Sequence, residues 1–224
     1  MAVPNIQNSS LKKWVEACIA LCKPRDVKWC TGSQEEYDSL MAEMVQQKKC
    51  IKLNPKYRPG SYLFRSDPAD VARVESRTFI CSSKRIDAGP TNNWEDPRKM
   101  KAHLQQLFAG CMAGRTMYIV PFTMGIENSQ FAVVGVEISD SAYVVVNVRI
   151  MSRISFRAVE CLGEEDRWVP GMHSVGFPLA NGQPDVAWPC NPPQTVIAHF
   201  PDELSIYSFG SGYVHHLCQG DSTC

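Results

Sequence analysis

A chain of 224 residues with an apolar fraction of 44% is long enough to bury one large core or two small ones. Its 23 basic and 23 acidic residues cancel, which argues against a nucleic-acid surface as its dominant feature, because such surfaces carry a basic excess. The opening MAVPNIQNSSLKKW has neither a secretory apolar core nor an arginine, no apolar run is long enough to span a membrane, and the ten cysteines include no CxxC pair, so the expectation is a reduced, cytoplasmic protein whose thiols serve as small core hydrophobes.

The first third reads as helical. Ser10 is placed to cap a helix whose Leu11, Trp14, Val15, Cys18, Ile19 and Cys22 share one face, and Pro24 stops it. Ser33 and Glu36 have capping-box spacing, and Tyr37, Leu40, Met41, Met44 and Val45 form the stripe of a second helix. Asn54 to Gly60 is a turn-rich loop. Asp67 followed by Pro68 predicts a short capped helix, with a strand near Thr78 to Cys81.

Asp96-Pro97 opens a further helix ending near Phe108. Beyond Gly114 the composition turns β-branched and aromatic, which predicts strands at Tyr118 to Phe122, Phe131 to Ile138 and Tyr143 to Ile150. Thr195 to Phe200 and Leu204 to Ser208 read as two more, joined by a turn at Pro201-Asp202-Glu203. Helices first and strands later, without regular alternation, is an α+β pattern with a mixed β-sheet.

Three segments could carry chemistry. DPADVARVESRT (Asp67 to Thr78) holds Arg73 and Glu75, and a rigid arginine suits a small carboxylate because its planar fork matches two oxygens. From spacing alone, a surface ion pair of Arg73 with Glu75 or Asp70 is the commoner outcome. GRTMYIVPFTMG (Gly114 to Gly125) is a buried strand with a turn. In FGSGY (Phe209 to Tyr213) closely spaced glycines allow backbone to approach a ligand, although most such segments are only turns.

These three, together with GPTNNW (Gly89 to Trp94), HSVGFP (His173 to Pro178) and WPCNP (Trp188 to Pro192), occur in an order that resembles the N-terminal substrate-binding domain of GTP-dependent phosphoenolpyruvate carboxykinases. The resemblance runs from about the first helix to Tyr213. It implies an enzyme family that converts oxaloacetate and GTP to phosphoenolpyruvate, GDP and CO2 in gluconeogenesis, with manganese or magnesium as cofactor. It also implies that Arg73 contacts the substrate carboxylate, that Glu75 contacts a closing lid, and that Tyr213 lies beside the substrate.

The resemblance breaks after Tyr213. The family pattern continues with two glycines and a manganese-binding lysine; here Val214 and His215 follow, and no G-x-x-x-x-G-K-[ST] phosphate loop occurs in the 224 residues. The resulting expectation is a substrate-binding domain over 1–213 with a divergent, disordered tail over 214–224. It has no catalytic or metal residue of its own, binds neither GTP nor metal tightly, and is inactive alone. The expected partner is the small-molecule substrate, with no nucleic acid, no membrane and a monomeric state. A non-catalytic short form or gene fragment that binds a dicarboxylate weakly is the alternative. His215, His216, Cys218 and Cys224 could form a soft-metal cluster, but their spacing departs from standard zinc patterns.

Overall fold

The computed structural model describes residues 4–71, 74–125, 129 and 132–213. In chain order these form α1 (Ser9–Cys22), β1 (Asp26–Trp29), α2 (Gln34–Gln46), β2 (Cys50–Lys52), β3 (Tyr62–Phe64), β4 (Thr78–Ile80), β5 (Asn93–Trp94) and α3 (Pro97–Phe108). There follow β6 (Thr116–Met124), β7 (Val133–Ser139), α4 (Ala142–Met151), β8 (Arg153–Ile154), α5 (Phe156–Glu160), β9 (Val169–Ser174), β10 (Val196–Phe200) and β11 (Ser205–Phe209). The architecture is α+β around a mixed sheet in the order β1-β6-β7-β9-β11-β10-β4-β5, with β8 paired to β6 and a separate β2–β3 ribbon.

Strand alternation divides the interior into two cores. Met117 and Ile119 of β6 point to one face, where Leu11, Val15, Cys18 and Cys22 of α1 meet Met100, Leu104 and Phe108 of α3. Tyr118, Val120 and Phe122 point to the other, against Leu40, Met41 and Met44 of α2 and the valines of α4. Six of the eight cysteines described are buried and all eight are free thiols, consistent with their use as packing groups.

Several local expectations are corrected. The cap of α1 is Asn8 rather than Ser10. Asn8 is fully buried; its Oδ1 accepts from Leu11 N at 3.0 Å while its Nδ2 donates to the carbonyls of Gly163, Glu164 and Asp166. The amide caps the helix with its oxygen while its two N–H donors hold a distant loop, more donors than a serine hydroxyl has. At α2 Ser33 does cap, accepting from Glu36 N at 3.1 Å, but Glu36 reaches back to the amides of Thr31 and Gly32 rather than to Ser33.

Asp67-Pro68 opens no helix. Asp67 Oδ1 accepts from Ala69 N at 2.8 Å, and Asp70 N donates to Asp67 O, making a single turn that directs Asp70 inward. Tyr143 to Ile150 is not a strand but α4, capped by Ser141. A valine in a helix costs up to about 0.7 kcal/mol against alanine, whereas burying it is worth about 2 kcal/mol. Val144, Val145, Val146 and Val148 are all buried, so packing outweighs propensity.

Candidate functional site

Sheet polarity decides where the motifs meet. β7, β9 and β11 run parallel to one another, so Ser139, Ser174 and Phe209 finish at one sheet edge. β6 is antiparallel to β7 and β10 to β11, while β4 and β5 follow β10, so these four strands begin there. DPADVARVESRT leads into β4, GPTNNW into β5, the Gly114-Arg115 head into β6 and WPCNP towards β10. HSVGFP leaves β9, and FGSGY leaves β11. All six segments thus collect at the edge formed by the carboxyl ends of the three parallel strands, a common position for ligand crevices in such sheets.

One hydrogen-bond network ties this edge together through Asp70, which is 4% exposed. Its Oδ1 accepts from Ser211 Oγ at 2.8 Å, and its Oδ2 accepts from Gly212 N and from Trp188 Nε1, both at 2.7 Å. Ser211 Oγ in turn accepts from Tyr213 N at 3.1 Å. The Trp188 ring lies 4.9 Å from that of Tyr213 and 4.9 Å from that of Tyr143, which meets Phe64 at 4.8 Å. Burial pushes the Tyr143 phenol above its ordinary range, and the neighbouring Tyr213 adds to the effect.

His173, fully buried, spans the same edge: Nδ1 is 2.9 Å from Ser139 Oγ and Nε2 is 2.8 Å from Ser211 O. The glycines of FGSGY are accounted for by protein, not by open space. A Cβ at Gly212 would lie 2.5 Å from the Trp188 ring, and one at Gly210, where φ is 87°, would lie 2.8 Å from Asn191 O.

A second, ionic network sits beside the first. Arg115, 5% exposed, donates from Nε to Phe177 O at 2.5 Å and from Nη1 and Nη2 to Asp185. Lys49 Nζ also reaches Asp185 at 2.6 Å. Burial opposes ionisation of Asp185, but hydrogen bonds from Arg115 and Lys49 outweigh it and hold the carboxyl below its usual range. Asp140 differs. Its burial raises the pKa despite Arg115 at 4.0 Å, with Ser174 Oγ and Val175 N donating to it. A cavity of about 400 Å3 opens here, lined in part by Arg25, Lys49, Arg115, Tyr118, Asp140 and Asp185.

Among the described residues, no group of three His, Cys, Asp or Glu side chains could hold a metal ion. Nor is any described helix long and apolar enough to cross a membrane.

A family model described as phosphoenolpyruvate carboxykinase N-terminal domain matches residues 13–215. The chain belongs to this family. Among curated relatives, the phosphoenolpyruvate carboxykinase (GTP) of Chlamydia muridarum is 52% identical over 208 residues, covering 93% of this chain and 35% of the relative. That of Chlamydia trachomatis is 50% identical over 211 residues, with 94% and 35% coverage. That of Corynebacterium jeikeium is 48% identical over 207 residues, with 92% and 34% coverage. The chain spans about a third of the length of the curated relatives it matches.

Of the site residues expected in this carboxykinase N-terminal domain, Glu75 is exposed in a short 3-10 turn immediately before β4, at the convergent edge. Its carbonyl, and that of Thr78, accept from Asn93 Nδ2 at 2.7 and 3.1 Å. Tyr213 is half-buried at the same edge, against Trp188. Arg73 lies outside the described residues, as do Val214, His215, His216, Cys218 and Cys224. Sequence reasoning assigned no role to Arg115, Asp140, His173, Trp188 or Ser211, and read Asp70 only as a surface ion-pair partner of Arg73, whereas it is buried and bonded to Trp188, Ser211 and Gly212. Each except Asp140 falls within one of the six motifs, and that membership is the one signal the sequence offers for them.

Proposed function

We propose that this chain supplies the substrate-holding part of a GTP-dependent phosphoenolpyruvate carboxykinase. The reaction would take oxaloacetate and GTP to phosphoenolpyruvate, GDP and CO2. The observation that carries this reading is the meeting of six separate segments at one sheet edge, with Tyr213 stitched through Ser211 and Trp188 to Asp70, three residues before Arg73.

Arg115, in another of the six segments, is already engaged, which supports Arg73 as the carboxylate receptor. Arg115 has Nε and both Nη groups engaged by Phe177 O and Asp185, and a substrate would have to break that fork to use them. Arg73 would hold a carboxylate of oxaloacetate with its planar fork and fix the orientation in which C–C cleavage leaves an enolate. Tyr213 would present its ring edge to the bound carboxylate, and Glu75 would meet a closing lid. Phosphoryl transfer to the enolate would draw on a metal and a nucleotide, and without them this chain would bind substrate weakly and not turn over.

Titration of the chain's tryptophan fluorescence with oxalate, a mimic of the enolate, tests the substrate reading. Half-saturation no tighter than about 1 mM is expected, because one arginine cannot replace a metal-centred site. Arg73→Ala should abolish the response, and an unchanged response in that variant would overturn the assignment. Oxaloacetate-dependent GTP consumption by this chain alone would contradict the proposed inactivity.

A further inference from the structure

We propose that Asp70 is a positioning residue that sets the place of Tyr213 and couples it to the segment bearing Arg73. This deepens the proposed function and rests on Arg73 and Tyr213 being the substrate contacts. A carboxylate nearly removed from solvent is costly unless donors surround it. Asp70 has three, and all come from the two segments that hold Tyr213.

Two chains of contact run from Asp70 to that tyrosine. One passes through Ser211 Oγ to Tyr213 N. The other passes through the Trp188 indole, which Asp70 fixes at Nε1 and whose ring rests on Tyr213. On the far side of Arg73, Asn93 Nδ2 pins Glu75 O and Thr78 O, and Thr78 Oγ1 donates to Val74 O at 2.9 Å. Asp70 and Val74 are thus each anchored, and Asp70 is the group that sets Tyr213. A shift of the FGSGY loop would strain its hydrogen bonds to Asp70.

A general fold staple would show itself differently, by loosening the whole sheet when removed. The test compares the 15N-labelled 224-residue chain with Asp70→Ala, Asp70→Asn and Ser211→Ala by amide exchange. The Trp188 indole signal and the amides of Ile119 and Ile138 at the sheet centre serve as reporters. In Asp70→Ala the Gly212 amide should exchange roughly 30-fold faster, the cost of one buried hydrogen bond, and the Trp188 indole signal should shift. Ile119 and Ile138 should keep their protection.

Asp70→Asn should restore most of the Gly212 protection, because a carboxamide oxygen can still accept from Gly212 and Trp188 while its amino group turns to Ser211. Ser211→Ala should release the Tyr213 amide and leave the Trp188 indole signal in place, a result that decides the matter even where Asp70→Ala does not fold. Unchanged Gly212 and Trp188 signals in Asp70→Ala, loss of protection at Ile119 and Ile138, or equal loss in Asp70→Asn would each overturn the proposal. A parallel oxalate series at about 10 mM separates the two readings. Silence of the wild-type chain would remove the substrate reading, while amide exchange would still decide whether Asp70 positions Tyr213.

Discussion

The guanidinium of Arg115 forks onto the carboxylate of Asp185, Nη1 to Oδ2 at 3.0 Å and Nη2 to Oδ1 at 2.7 Å. Arg115 stands at the head of β6 and Asp185 in the segment between β9 and β10, so the fork closes a loop across the convergent edge. Lys49 joins from beyond α2.

Removing Asp185 leaves two cations facing each other without their shared anion. Asp185→Asn should cost about 3 kcal/mol at neutral pH, as expected for breaking a largely buried pair. Because the folded-state pKa of Asp185 is depressed, its contribution is present above the unfolded carboxylate value of about 3.9 and is lost as pH falls through the folded value. Asp140, with a raised pKa, works in the opposite sense: its contribution is full below the unfolded value and declines as pH rises through the folded one. Urea midpoints over roughly pH 2 to 7 should therefore show the deficit of Asp185→Asn shrinking at the acid end. A deficit constant with pH would contradict the ionic account.

Gly212→Ala should displace Trp188. The added Cβ would sit 2.5 Å from the indole, closer than such atoms approach, and the neighbouring backbone is held by Asp70. A loss of about 2 kcal/mol from overpacking is expected, with a red shift in tryptophan emission as the ring moves towards water. Wild-type stability and emission would show that the loop yields freely.

His173 connects the ends of β7 and β11 through Ser139 and Ser211. His173→Ala should cost about 3 kcal/mol, combining a cavity with unsatisfied polar groups in a fully buried place. Chemical denaturation measures this directly, and a change under about 0.5 kcal/mol, the range of surface substitutions, would argue that the bridge contributes little.

Thiol labelling at about pH 8, near the ordinary thiol pKa, should be selective. Burial pushes Cys18 and Cys81 up to about 12 and Cys190 up to about 11, whereas Cys161 is exposed. Among the eight cysteines described, Cys161 should react first with iodoacetamide and the six buried ones only on unfolding, as followed by peptide mass spectrometry. Prompt labelling of Cys18 or Cys81 in the native chain would show that the first core opens readily.

Local rules read some elements well and failed where tertiary contacts set the outcome. Asp96-Pro97 announces α3 because cap and first turn are both local, and Asp96 does accept from Arg98 N and Lys99 N. The turn at Pro201–Glu203 between β10 and β11 was legible for the same reason. The valines of α4 point locally to a strand, and only the face of the sheet they cover makes them helical. Asn8 displaces Ser10 as the cap because a loop 155 residues away needs its amide. The site was legible as a set of motifs, but the roles within it were not. Asp70 meets Gly212 across 142 positions, and no spacing rule spans that distance. The glycines of FGSGY suggested room for a ligand, and that room is instead filled by Trp188 and Asn191.

The most direct test of the central claim is a map of amide shifts in the 224-residue chain as oxalate is added to several millimolar. The account expects weak, saturable changes concentrated at Glu75 and Ser211 to Tyr213, absent in Arg73→Ala. Changes centred instead on the Lys49, Arg115 and Asp185 cavity, or persisting in Arg73→Ala, would contradict it.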